Sequence, residues 1–207
     1  MTYNPQREWL LWAAATAGGW LLGSAINILL SIVLNMAGFG AAFNADPASM
    51  SQSTALMLMG VSLALLLIIG LSVGAMQWLV LRRHLPDLPR WAIFTGLGFA
   101  LGSFAFLAFM GAGVGLLQWM LLRRDLNKTG WWPVMNAVAW PVGYMLGGVL
   151  GTAVGAAVSS PLLGSLLSAA LAGAIIGAVT GAVLMWLLRE NRTLLDGLRE
   201  EAEQAKS

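Results

Sequence analysis

Charge is missing from four long stretches of this 207-residue chain. No Asp, Glu, Lys or Arg falls between Glu8 and Asp46, between Asp46 and Arg82, between Arg90 and Arg123, or between Lys128 and Arg189. A helix crossing a bilayer needs about 20 mainly apolar residues, so each stretch is long enough for one crossing and the last for two. Hydrocarbon cannot satisfy open backbone groups, which leaves helices or closed barrels. The alternating ten-residue strands of a barrel are absent. The expected fold is therefore an all-α, polytopic membrane helical bundle. Composition agrees: 58% of residues are apolar and 10% charged, against roughly a quarter charged in a soluble domain, and the mean hydropathy is +0.78.

Several functional classes drop out at this level. The net charge of +2 and pI near 9.5 do not indicate nucleic acid as a partner, because the basic residues sit at the ends of apolar runs, where topology determinants belong. With no cysteine there is no disulfide, thiolate or iron–sulfur site. Met1 to Trp9 lacks a basic leader region and a small-residue cleavage site, so the first apolar run reads as a retained span.

The first span is expected over Trp9 to Met36, followed by a Gly/Ala loop, Gly38 to Ser51, that contains Asp46-Pro47 and no Lys or Arg. The second covers Thr54 to Leu81 and ends in Arg82-Arg83-His84, before a Pro-rich turn from Leu85 to Arg90. The stretch Trp91 to Leu122 precedes Arg123-Arg124. A further span starts at Trp132-Pro133, with proline suited to a first helical turn, and reaches Val158; Ser159-Ser160-Pro161 turns into the last, Leu162 to Leu188. In the tail, Leu194, Leu195 and Leu198 predict a short amphipathic continuation. Arg-bearing loops stay cytoplasmic. A single helix over 91–122 would put its two Arg pairs on opposite sides, whereas a hairpin breaking near Gly102-Ser103 keeps both inside. This gives six membrane segments, the third and fourth short or re-entrant, with residues 1–8 and the tail 190–207 both cytoplasmic.

An internal repeat points the same way. Gly70-x3-Gly74-x2-Gln77-Trp78-x3-Arg82-Arg83 recurs 41 residues later as Gly111-x3-Gly115-x2-Gln118-Trp119-x3-Arg123-Arg124. A degenerate third copy is read at Gly177-x3-Gly181 with Arg189, where Leu184 replaces the glutamine. A second pattern, Trp then a small polar residue then Gly, opens alternate spans: Trp12/Thr16/Gly23, Trp91/Thr95/Gly102 and Trp132/Asn136/Gly143. Together they describe three tandem helix pairs, over 9–83, 89–124 and 131–189, within a transmembrane domain at 9–189. Parallel repeats cross the membrane an even number of times per unit, unlike the inverted repeats of many transporters.

The nonapeptides Gly74-Ala75-Met76-Gln77-Trp78-Leu79-Val80-Leu81-Arg82 and Gly115-Leu116-Leu117-Gln118-Trp119-Met120-Leu121-Leu122-Arg123 resemble a group of uncharacterised bacterial multi-pass membrane proteins, best represented in phototrophic lineages, that repeat G-x-x-Q-W-x-x-L-R before a Trp-started, Gly-rich span. The resemblance extends from Gly70 to Arg189 and implies a bacterial inner-membrane bundle, with no particular activity. The third copy and the short 91–122 unit depart from the pattern.

The glycines are candidate helix-packing residues, because helices in lipid associate by close backbone approach. They are Gly70, Gly74, Gly111 and Gly115 in the repeats, with Gly143, Gly147, Gly151 and Gly155 on the fifth span and Gly173, Gly177 and Gly181 on the sixth. The short joining turn predicts that these last two stripes face each other. Gln77, Gln118 and Asn136 are candidates for interhelical hydrogen bonds or, for the glutamines, an amide-oxygen ligand to a chlorophyll-type magnesium. Trp9, Trp12, Trp91, Trp131 and Trp132 at span ends read as an interfacial belt. Trp78, Trp119, Arg82, Arg83, Arg123 and Arg124 read as anchors that snorkel or meet anionic headgroups. His84 reads as a helix-dipole partner, and Pro141 predicts a kink.

No Asp, Glu, Lys or Arg lies at membrane depth, where an ionisable residue would flag an ion or proton path, and no nucleophile–base set, metal cluster or phosphate loop is present in the sequence. The expected function is a non-catalytic packing or accessory protein associating with lipid, with other membrane subunits or with itself. One alternative is a pigment- or quinone-binding subunit of a photosynthetic or electron-transport complex. Another is a small channel or transporter for an uncharged solute, lined by Asn27, Asn35, Asn136 and the glutamines. The residues name no cofactor.

Overall fold

The computed structural model describes residues 4–43, 46, 50–85, 88, 90–103, 107–192 and 196. Pro47, Pro86, Asp87, Pro89 and the tail leucines 194, 195 and 198 lie outside these, so parts of the loop and tail readings fall outside the described residues. Among the described residues there is no strand. The helices are α1 (Pro5–Leu34), α2 (Gln52–Leu81), α3 (Trp91–Gly102), α4 (Leu107–Asp125), α5 (Trp131–Ala157) and α6 (Pro161–Glu190).

The termini of these helices follow from local chemistry. Asn4 Oδ1 accepts from the backbone N–H groups of Gln6 and Arg7, with Pro5 in the first turn of α1. Ser51 caps α2 by accepting from Thr54. Ser160 caps α6 by accepting from Leu163, again with proline at the first position. Each side chain satisfies a backbone N–H that the helix leaves open. The first span overruns its expected end at Met36: α1 continues through a wide turn, Asn35–Phe39, into a last turn at Gly40–Phe43. Gly38, at φ +89°, takes the left-handed conformation this requires. Pro141 does not break α5, which is one helix from Trp131 to Ala157.

Four helical stretches are long and apolar enough to cross a membrane: Pro5–Phe43, Gln52–Leu81, Trp131–Ala157 and Pro161–Glu190. The stretch 91–122 is not a fifth long helix. It forms α3 and most of α4, packed antiparallel: a Cβ on Gly98 would meet the Val114 backbone, and one on Gly102 the Met110 backbone.

Each helix packs on the next in sequence, and α6 packs on α1, so the six close into a ring. The charged ends gather on one side. His84 Nε2 at the end of α2 lies 3.2 Å from Glu8 Oε2 at the start of α1, a tie the dipole reading of His84 did not anticipate. Lys128, before α5, pairs with Glu190 at the end of α6. Asn191 accepts a hydrogen bond from the Asn127 backbone N–H (2.7 Å) and donates to the Asn127 carbonyl. We call this side the Arg end.

Candidate functional site

The centre of the ring at the Arg end is a triangle of tryptophans. Trp12, Trp91 and Trp132, one each from α1, α3 and α5, meet edge to face with ring centroids 6.0–6.1 Å apart. All three are buried, so they belong to the core and not to the interfacial belt. An indole at a span end faces lipid only if its helix turns that way, and here the ring turns all three inward. Trp131 and Trp186 do stay exposed, at 60% and 39%.

Eight residues after each of these, on the same helix face, comes a second aromatic: Trp20, Phe99 and Trp140, with centroids 4.6–5.6 Å apart. Sequence reasoning misses this second triangle, although the common +8 spacing is its signal. Below the first triangle Leu81, Leu122 and Leu184 are fully buried, and below them Leu85, Leu126 and Leu188.

Buried indole N–H groups need acceptors, and the repeated polar residues provide them. Trp91 Nε1 donates to Gln77 Oε1 (3.1 Å) and Trp132 Nε1 to Gln118 Oε1 (3.0 Å). The amide nitrogens turn the other way round the ring: Gln77 Nε2 donates to Thr16 Oγ1 (3.1 Å) and Gln118 Nε2 to Thr95 Oγ1 (2.9 Å). Thr16, Thr95 and Asn136 each bond the carbonyl of the tryptophan one turn earlier. Each glutamine thus ties three helices together, which explains why it recurs four residues before the buried leucine. The pigment-ligand reading finds no support here, since both amide oxygens already accept an indole N–H and both nitrogens donate.

The third position departs from the register read in the sequence by one helical turn. Trp12 Nε1 donates to Thr180 Oγ1 (3.1 Å), which in turn donates to the Ile176 carbonyl. The glycine contacts fix the register. A Cβ on Gly74 would meet Ala92 and Thr95, one on Gly115 Pro133 and Asn136, and one on Gly177 Ala13 and Thr16. Gly70, Gly111 and Gly173 likewise press on Phe99, Trp140 and Trp20. So Gly173-x3-Gly177-x2-Thr180 holds the place of Gly70-x3-Gly74-x2-Gln77, and Leu184 corresponds to Leu81, not to the glutamine. A ladder of glycines at every fourth residue hides a four-residue slip. Gly181 lies one turn beyond this register, against Trp12.

The expected face-to-face glycine stripes do not occur. Gly143, Gly147, Gly151 and Gly155 of α5 approach Ile176, Ala172, Ser168 and Gly164 of α6, while Gly173, Gly177 and Gly181 face α1. The two rows of α6 differ by one residue in register, and so by about 100° around the helix. One therefore serves α5 and the other closes the ring.

At the rim, Arg82 Cζ stands 5.1 Å over the Trp78 ring and Arg123 Cζ 4.7 Å over Trp119, with Arg83 and Arg124 exposed beside them. The third corner has Met185 and Trp186 in place of the pair. Asn27 Nδ2 donates to the Leu65 carbonyl across α1 and α2, and Asn35 sits in the wide turn beside Gly40. Of the residues expected to line a solute path, Gln77 and Gln118 meet (Gln118 Nε2 donates to Gln77 Oε1, 3.4 Å), while Asn27 and Asn35 lie away from them. Among the described residues no group of three His, Asp or Glu gathers for a metal.

A cavity of about 760 Å³ opens on the other side of the second triangle. Trp20 and Tyr144 line it, and it runs between α1, α2, α5 and α6 to the Ser159–Pro161 turn. No family model, curated protein or solved structure matches the chain.

Proposed function

We propose that this is a non-catalytic packing or accessory protein of a bacterial inner membrane, built as three tandem helix pairs with the middle pair short. One observation carries the reading: the polar groups repeated at bilayer depth, Gln77, Gln118, Thr16, Thr95 and Thr180, are spent on one another and on the tryptophans. A chain that uses its buried polar groups to fix its own ring has built a rigid body, and leaves its outer faces for lipid or protein. Those faces carry bare Met145, Val149, Leu29 and Val33, all more than 60% exposed or close to it. The Arg end is cytoplasmic by the positive-inside rule, with both termini and all the interhelix Arg pairs on that side. Arg82 over Trp78 and Arg123 over Trp119 then act as two interfacial anchors suited to anionic headgroups.

Native membranes solubilised in mild detergent test this. The tagged chain is expected to migrate with a larger complex or with retained lipid. Migration as a lipid-free monomer, together with intact membrane complexes after its deletion, overturns the proposal.

A further inference from the structure

The cavity lies in the half of the ring beyond the end of α3. At about 1.5 Å per residue, the twelve residues of α3 end far below the tops of α1, α2, α5 and α6. The cavity begins there beside Trp20 and Tyr144.

Its lining is uncharged, with Ile69, Ala169 and Ala172 as apolar wall and Ser24, Tyr144 and Thr152 as hydroxyl bearers. Trp20 is 3% exposed, and its Nε1 has no hydrogen-bond partner among the described residues. The other two inward tryptophan N–H groups on α1 do have acceptors: Trp9 donates to the Ala178 carbonyl and Trp12 to Thr180. A buried donor left open is costly, and Trp20 is one of the residues that line the cavity. A Cβ on Gly148, on the cavity wall, would have nothing within 4 Å, so the wall there is open space.

We infer that this cavity binds an uncharged, membrane-partitioned molecule with an apolar chain and a carbonyl oxygen that accepts from the Tyr144 hydroxyl. The volume is in the usual range for a small-molecule site, about 300–1,000 Å³. An anionic headgroup does not fit, because no cation lines the cavity and the arginines are at the opposite end. Acyl esters and isoprenoid quinones share the required chemistry, and they are distinguished by competition. This site is independent of the accessory role proposed above.

The test uses the full chain in phosphatidylcholine vesicles with two diazirine photoprobes, a long-chain fatty acid methyl ester and an isoprenoid benzoquinone, with labelled positions mapped by mass spectrometry. Labelling is expected at Tyr144, Thr152 and Ser168, competed by excess unlabelled ester or by excess unlabelled quinone according to the true source. Gly148→Phe fills the open wall and abolishes the cavity label. Tyr144→Phe removes one donor and weakens probe affinity about fivefold. Thr152→Leu serves as a second filling variant if Gly148→Phe does not fold. Labelling confined to the outer faces, such as Met145 and Val149, or cavity labelling unchanged in a folded filled variant, overturns the inference.

Discussion

The two halves of the ring are built on different principles. At the Arg end six helices meet, and glycines bring backbones together. Three tryptophans fill the axis there, and the repeated Gln and Thr side chains are hydrogen-bonded. At the far end α1, α2, α5 and α6 continue beyond the end of α3, large apolar side chains face outward, and a cavity opens beside Trp20 and Tyr144. Lipid offers helices no hydrophobic reason to associate. The halves therefore differ in what their glycines join: the glycine–tryptophan repeat closes the whole ring at the Arg end, whereas in the far half Gly147, Gly151 and Gly155 join only α5 to α6.

That contrast can be broken most severely at the first triangle. Trp91→Ala is expected to cost about 3–5 kcal/mol, read as a large loss of thermal stability in detergent by near-UV circular dichroism, whereas Trp131→Ala at the exposed rim stays within about 0.5 kcal/mol. Equal effects would dissolve the distinction between core and belt. Next comes Gly74→Leu. A Cβ there would lie 2.6 Å from the Ala92 Cα, so overpacking of about 1–3 kcal/mol or more is expected, while Gly60→Leu, with nothing within 4 Å, is tolerated. Gln118→Leu strips acceptors and donors from Trp132 and Thr95 and is expected to cost about 1–2 kcal/mol. The same change at Asn27, in the far half, costs less. Smallest is Thr180→Val, about 0.6 kcal/mol, the average for one interhelical hydrogen bond in a membrane protein. A cost as large as that of Gln118→Leu would show that the third position is not the weak corner its single side-chain bond makes it.

Much of the Arg end is legible in the sequence. The Gln–Trp–Arg repeat and the Trp/Thr/Gly pattern locate the residues that converge, and the charge gaps locate the helix ends. Two features mislead. Trp12, Trp91 and Trp132 sit at span ends, where composition alone says interface, and only the ring's inward rotation makes them core. Gly173, Gly177 and Gly181 form a ladder in which a one-turn slip changes no residue type, so the pattern favours Leu184 and passes over Thr180. The cavity has no sequence signal, since Ser24, Tyr144 and Thr152 belong to no repeated pattern.

The sequence by itself determined that the chain is a helical bundle with an uncharged interior, because charge placement and apolar run length act locally and need no partner. It also determined which residues are small enough for backbones to touch. Tertiary structure alone decided which glycine row meets which helix, how one glutamine ties three helices, and that a space opens beside Trp20 and Tyr144. Those outcomes depend on the rotation of each helix about its axis and on closure of α6 onto α1, which are properties of six packed helices together and of none of them alone.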